Sequence, residues 1–313
     1  MNFIESIRFV FINRHGDLRS GFRLAGFVFL TGACEVLLAR PAELVAHWTN
    51  GWDYIGQILA LVSAGIGTFV MMRFVNRKPF SAVGLGLHPA MFREFGIGVL
   101  IGFLLMTGIF LLEYYSGFIG LTWRGLSIWG ILWTLLGAVF LFALVAVSEE
   151  FLFRGYLFQT FIQAVTLLPA LLVTAALFGV GHWRNPNATI LAVVNIALAG
   201  VMFSIAYVKT RSLWLPIGLH FSWNFSQTTV YSFPTSGMEF ADRKLFSLAQ
   251  GGPDWLTGGA FGPEGGLLAT LAILIGTGVI LKSKILAEPE GIITLDSIED
   301  LLKPTNGDGK EDA

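Results

Sequence analysis

The stretch "SEEFLFRG" (Ser148–Gly155) sets two adjacent glutamates and an arginine directly after "LWTLLGAVFLFALVAV", one of the most apolar runs in the chain. Ionisable groups at or inside a hydrocarbon layer are costly enough that function is their default reading. Glu150 and Arg154 stand i, i+4 with the acid first, the better order for a pair on one helical face. Glu149 then points about 100° away and is left for chemistry. Two more polar insertions follow in the apolar half: "FGVGH", ending at His182, and "HFSWN", in which His220 and Asn224 are again i, i+4. The chain has only five histidines, and two of them fall here.

A carboxylate and two neutral imidazoles, Glu149, His182 and His220, are a ligand set for Zn²⁺ with water in an open position. The metal would convert that water into a nucleophile at neutral pH. Without metal, Glu149 and His182 would act as general base on water, and His220 and Asn224 would donate hydrogen bonds to the developing oxyanion. Both versions hydrolyse a carbonyl compound inside a membrane cavity. The nucleophile is water, because no serine or cysteine is evidently paired with a base; Ser148 and Ser222 adjoin the motifs without being marked as nucleophiles. Taken singly, each insertion has a plainer reading. Glu150–Arg154 is a structural ion pair, His182 beside Trp183 an interfacial residue, and His220 with Asn224 interhelical hydrogen bonding. Glu35 and Asn195 read as packing or topology features. Three insertions together point to one shared buried polar site.

The elements that must position these residues are membrane helices. Of 313 residues 54% are hydrophobic and 13% charged, against roughly 25% charged in a soluble domain; Phe numbers 28 and Trp 9, and the mean hydropathy is +0.69. A formal net charge of −1 offers nothing to nucleic acid, and a lone cysteine, Cys34, excludes an internal disulfide and a Cys-based zinc site. The N-terminal charges are scattered with no clean apolar core, so no removable signal peptide is expected. Apolar runs near the ~20 residues that span a bilayer fall near 23–40, 54–74, 94–113, 127–148, 169–183, 187–208, 213–230 and 265–282. The expected fold class is therefore all-α: a polytopic bundle of about eight transmembrane helices, a single membrane domain over 1–284. An acidic, partly disordered tail covers 285–313, with one short helix at 295–302. The loop 231–263 is rich in Gly and Pro, and Pro263 and Glu264 suit the first turn of the helix after it. Basic clusters at 8–23, 73–78, 209–211 and 282–284 put both termini in the cytoplasm; Arg243 and Lys244 fall on the other side.

The combined pattern, EE-x-x-x-R, F-x-x-x-H and H-x-x-x-N over about 146–227, resembles the CAAX-protease and bacteriocin-processing (CPBP, Abi) family of intramembrane proteases, whose eukaryotic branch holds the type II CAAX prenyl endopeptidases. The order, spacing and membrane setting carry the resemblance. It implies that Glu149 and His182 activate water and that His220 and Asn224 stabilise the oxyanion. It casts Glu150 and Arg154 as supporting residues and Phe178 as packing near the site. It further implies a metallo-endopeptidase with Zn²⁺ as cofactor, held by Glu149, His182 and His220. The partners expected are membrane lipid and a membrane-associated peptide or protein substrate, in a plasma membrane, with a cavity open toward the cytoplasm. Eight spans alone would leave Glu149 and His182 at opposite ends of their helices. Convergence requires the helix to run on through 149–165 with Glu149 at mid-depth. A non-proteolytic immunity or scaffold protein of the same family is the alternative, to be separated by Glu149→Gln. A transporter would predict internal repeats, and residues 1–140 hold no duplicate of the polar motifs.

Overall fold

A computed structural model describes residues 11–12, 17–49, 51–289 and 294–295. In chain order the principal helices are α1 (Ser20–Thr49), α2 (Trp52–Val70), α3 (Met91–Tyr115), α4 (Ile128–Glu150), α5 (Phe158–Val165), α6 (Leu167–Gly181), α7 (Ile190–Thr210), α8 (Trp214–Phe225) and α9 (Leu267–Lys282). Three π-helical stretches extend them: Met71–Asn76 after α2, Phe151–Leu157 after α4 and Ser226–Val230 after α8. Five helical stretches are long and apolar enough to cross a membrane, Ser20–Thr49, Trp52–Asn76, Met91–Tyr115, Ile128–Val165 and Ile190–Thr210, and two shorter apolar helices join them. With α8, these coincide with the eight apolar runs of the sequence. The protein is an all-α membrane bundle apart from a small antiparallel ribbon.

The boundaries differ in instructive ways. The first helix runs through Pro41 to Thr49 rather than ending near 40; proline is tolerated in membrane helices, where neighbours re-satisfy freed backbone groups. Helical winding continues past Glu150 for the whole of Ile128–Val165, 38 residues, with a kink at Gly155 (ψ −106°). Glu149 thus lies well short of the end of its helical stretch, the extension that convergence of the motifs requires.

The chain forms two compact units, one from the described residues of 1–86, 151–173 and 291–313, the other from 87–150 and 174–290. In the first, α1 packs on α2 and α5. Thr294 and Leu295 of the tail are held there through their main chain. Lys78 Nζ donates to both carbonyls (3.1 and 2.8 Å), Gln163 Nε2 donates to Leu295 O (2.7 Å), and Leu295 N donates to Gln159 Oε1 (3.2 Å). The Leu295 side chain is itself buried. Most of the expected short helix at 295–302 and of the partly disordered tail lies outside the described residues.

In the second unit α8 is the core element, buried from Leu215 to His220 and again from Ser222 to Asn224. It packs against α3, α4 and α7. The approach of α3 depends on glycine. A Cβ at Gly98 would lie 2.3 Å from Leu215 O, and one at Gly102 would lie 2.5 Å from Leu219 O. Gly98-x-x-x-Gly102 is the small-residue spacing that lets membrane helices touch backbone to backbone. The connections after α3 and α8 pair as β1 (Ile119–Trp123) with β2 (Phe246–Gln250), antiparallel, Leu121 opposite Leu248. The Gly/Pro-rich loop is built from one-turn helices at Asp254–Thr257, Gly259–Phe261 and Pro263–Gly265. Pro263 and Glu264 therefore belong to a separate turn, with Gly266 capping α9, and not to the first turn of that helix.

Candidate active site

Within the second unit, α4 delivers Glu149 and Glu150 to His220 on α8. Glu150 Oε1 lies 2.9 Å from His220 Nδ1, and Glu149 Oε2 lies 3.9 Å from His220 Nε2. The two carboxylates, about 100° apart on their helix, thus meet the two nitrogens of one ring. Glu150 is fully buried. Glu149 keeps 22% of its side chain exposed, while its Oε2 is buried and accepts no hydrogen bond among the described residues. A buried carboxylate oxygen left open in this way costs stability and is available to a bound water.

Aromatic rings fix the imidazole. Phe203 of α7 stacks on His220 at 4.9 Å and 14°, and Phe178 of α6 meets it edge-on at 6.3 Å. Phe178 also contacts the His182 ring at 5.1 Å, and its carbonyl oxygen lies 2.8 Å from His182 Nδ1. A carbonyl has no proton to give, so Nδ1 carries the hydrogen. In the neutral ring Nε2 then holds the lone pair. The F-x-x-x-H spacing thereby sets a tautomer. Gly179 in the same motif lets α6 close on α7: a Cβ there would meet Val193 O at 2.5 Å.

Asn224 lies one turn beyond His220, is 6% exposed, and makes no side-chain hydrogen bond among the described residues. His182 is half-buried in the turn after α6. No hydrogen bond or ion pair joins it to Glu149 among the described residues. The structure brings Glu149, Glu150, His220 and Phe178 together, with Asn224 on the same helix, and leaves His182 attached to the group through Phe178. Arg154 belongs to the first unit, where it is buried with its guanidinium 5.7 Å from the Phe153 ring. Winding is π-helical from Phe151 to Leu157. Among the described residues no three of His, Cys, Asp and Glu are grouped to hold a metal ion. Glu149 and His220 offer two donors, His182 does not join them, and Nδ1 of His220 is taken by Glu150. Among the described residues the expected three-residue zinc set is not grouped.

Two contributors escaped the sequence reading. Phe203 is one of 28 phenylalanines and carries no distinguishing signal. The Gly98/Gly102 pair that seats α8 does carry one, its four-residue spacing inside an apolar run.

A buried polar site of adjacent carboxylates and an imidazole, set in a helical membrane bundle, defines the class: a membrane protein with a carboxylate–imidazole centre among its helices. Residues 129–226, which contain every motif residue, match the family model described as type II CAAX prenyl endopeptidase Rce1-like. The resemblance read from the motifs is borne out over that segment. The chain is also 25% identical over 207 residues to the uncharacterized protein YyaK of Bacillus subtilis (strain 168), covering 64% of this chain and 68% of that protein. No solved structure matches.

Proposed function

We propose that this protein is an intramembrane endopeptidase that hydrolyses a peptide bond of a membrane-associated substrate, in a plasma membrane with both termini cytoplasmic. The observation that carries the reading is the His220 ring held between Glu149 and Glu150, with Glu149 Oε2 unbonded among the described residues. The family match supports a CAAX-type endopeptidase at family level; whether the substrate carries a CAAX-like end is part of the proposal.

The chemistry follows from the groups. Glu149 takes a proton from water, and His182 Nε2 accepts the hydrogen bond of the second O–H. The hydroxide attacks the scissile carbonyl carbon. The carbonyl oxygen becomes an oxyanion, met by Nε2–H of a protonated His220 and by the Asn224 amide. Glu150 accepts from His220 Nδ1–H and holds the positive charge of the ring in place. Collapse of the adduct breaks the C–N bond, and the proton on Glu149 passes to the leaving amine. Oriented donors in a dry site are each worth about 10²–10³ in rate.

The test is cleavage of a library of membrane-tethered peptides by detergent-purified wild type and Glu149→Gln. Cleavage by wild type alone, with both proteins folded identically, is the expected result. Equal cleavage by the variant would remove Glu149 as the base, and no cleavage by either would favour an immunity or scaffold role. Metal analysis of the same preparations tests the Zn²⁺ expectation separately: stoichiometric zinc that disappears in Glu149→Gln would add an ion held by Glu149 and His220.

A further inference from the structure

The carboxylate of Glu264 lies outside every motif and outside the residues matched by the family model. It is buried and accepts four hydrogen bonds. Trp223 Nε1 donates to Oε1 (3.3 Å), and Gln227 Nε2 (3.1 Å), Ser236 N (2.6 Å) and Ser236 Oγ (3.1 Å) donate to Oε2. Two donors come from α8, which carries His220 and Asn224, and from its π-helical extension, and two from the loop after it. Trp223 lies on α8 between His220 and Asn224, and Gln227 in the extension Ser226–Val230.

The loop side of this junction leads to His182. Ser236 O accepts from Asn185 Nδ2 at 2.8 Å, in the turn that begins at His182. Gly237 (φ +81°) lies so close to that turn that a Cβ would fall 2.0 Å from Pro186 O, and its N–H donates to Phe261 O at 2.8 Å. Glu264 is fixed in turn by its own main chain. Asn195 Nδ2 donates to the carbonyls of Glu264 and Gly266, both at 2.9 Å, and Thr270 Oγ1 donates to Asn195 Oδ1 at 2.6 Å.

From these contacts we propose that Glu264 is a positioning residue of the active site, a single carboxylate that ties the His220/Asn224 helix to the turn carrying His182. The proposal rests on the endopeptidase reading for its kinetic consequence, though not for its structural one. The Gly/Pro-rich loop is then a part of the catalytic scaffold. Its glycines allow the backbone to pass close enough for one side chain to reach α8 and Ser236 together. In Glu264→Gln the amide presents its NH₂ to at least one of the four donors, so that one arm of the junction opens.

The experiment compares wild type, Glu264→Gln and Trp223→Phe in detergent by hydrogen–deuterium exchange and by peptide cleavage. Trp223→Phe keeps an aromatic side chain and removes one α8 donor, which serves if Glu264→Gln does not fold. Faster exchange is expected in both 182–189 and 220–230; the first lies far in sequence from either substituted residue, and the second far from Glu264. In cleavage, kcat should fall about 10–100-fold from misplacement of the reacting groups, with KM unchanged. Glu264→Asp should restore less of kcat than of thermal stability, because its shorter side chain keeps the charge and loses the reach. Faster exchange confined to 234–237, or unchanged kcat in a folded variant, would overturn the proposal. Should wild type cleave nothing, the endopeptidase reading fails, and the exchange pattern still decides the structural role of Glu264.

Discussion

Four glycines on α3 allow an experiment in which helix propensity is constant and only the facing surface varies. At Gly98 an added Cβ would lie 2.3 Å from Leu215 O and 2.7 Å from Leu219 N; at Gly102 it would lie 2.2 Å from Ser222 Oγ and 2.5 Å from Leu219 O. At Gly96 and Gly108 it would meet nothing within 4 Å. The Ser222 hydroxyl can turn aside, but the Leu219 carbonyl is bound into α8 and cannot. Ordinary contact therefore requires α3 and α8 to separate by about 1 Å, an overpacking that costs about 1–3 kcal/mol. Replacing glycine inside a helix returns about 0.5–1 kcal/mol. Gly98→Ala and Gly102→Ala should thus destabilise by about 0.5–2 kcal/mol, while Gly96→Ala and Gly108→Ala should stabilise by about 0.5–1 kcal/mol. At roughly 2–4 °C per kcal/mol for a large domain, the two pairs should move the melting temperature in detergent in opposite directions. Ser222 sits between His220 and Asn224, so the first pair should also lose cleavage activity. If all four variants shift the melting temperature alike, the close α3–α8 contact is refuted, and with it the account of what seats His220 and Asn224.

Other expectations follow from the same contacts. Glu150→Gln keeps an acceptor at His220 Nδ1 but removes the charge, and exchanging a charge-assisted for a neutral hydrogen bond should lower kcat by about 10-fold, measurable as initial rates with folding unchanged. Asn224→Ala should lower kcat by about 10²–10³ and leave KM in place, the signature of a donor used only in the transition state. His88, beside Glu94 (3.5 Å) and Ser212 (3.3 Å), has its pKa lowered from 6.5 by burial. The unfolded chain then binds its proton first as pH falls, so the contribution is intact above pH 6.5 and is lost below it. The difference between thermal melts of wild type and His88→Asn from pH 8 to 5 should show this contribution, largest at pH 8 and smaller at pH 5.

The membrane spans were legible because lipid demands long apolar runs, and that demand is written in composition alone. The motif residues were legible for the complementary reason: Glu149, His182, His220 and Asn224 are polar where polarity is costly. What stayed hidden depended on contacts between segments distant in sequence. Glu264 reads locally as the acid of a helix start, and only the folded loop shows it bonded to Trp223, Gln227 and Ser236. The π-helical turn that begins at Phe151 has no counterpart in residue spacing. The β1–β2 ribbon joins two loops that are short and ambiguous when read separately. The contact of His182 Nδ1 with the Phe178 carbonyl lies within one turn of helix, yet the motif resemblance marked Phe178 only for packing.

The hold on the tail has an evolutionary corollary. Lys78, Gln159 and Gln163 grip carbonyls and an amide of Thr294 and Leu295, groups that every residue other than proline can supply. Such a grip on main-chain groups is blind to spelling. Leu295, whose side chain is buried, answers in addition to selection for its shape. Among related chains, the tail near this point should drift in sequence while one apolar residue stays in register.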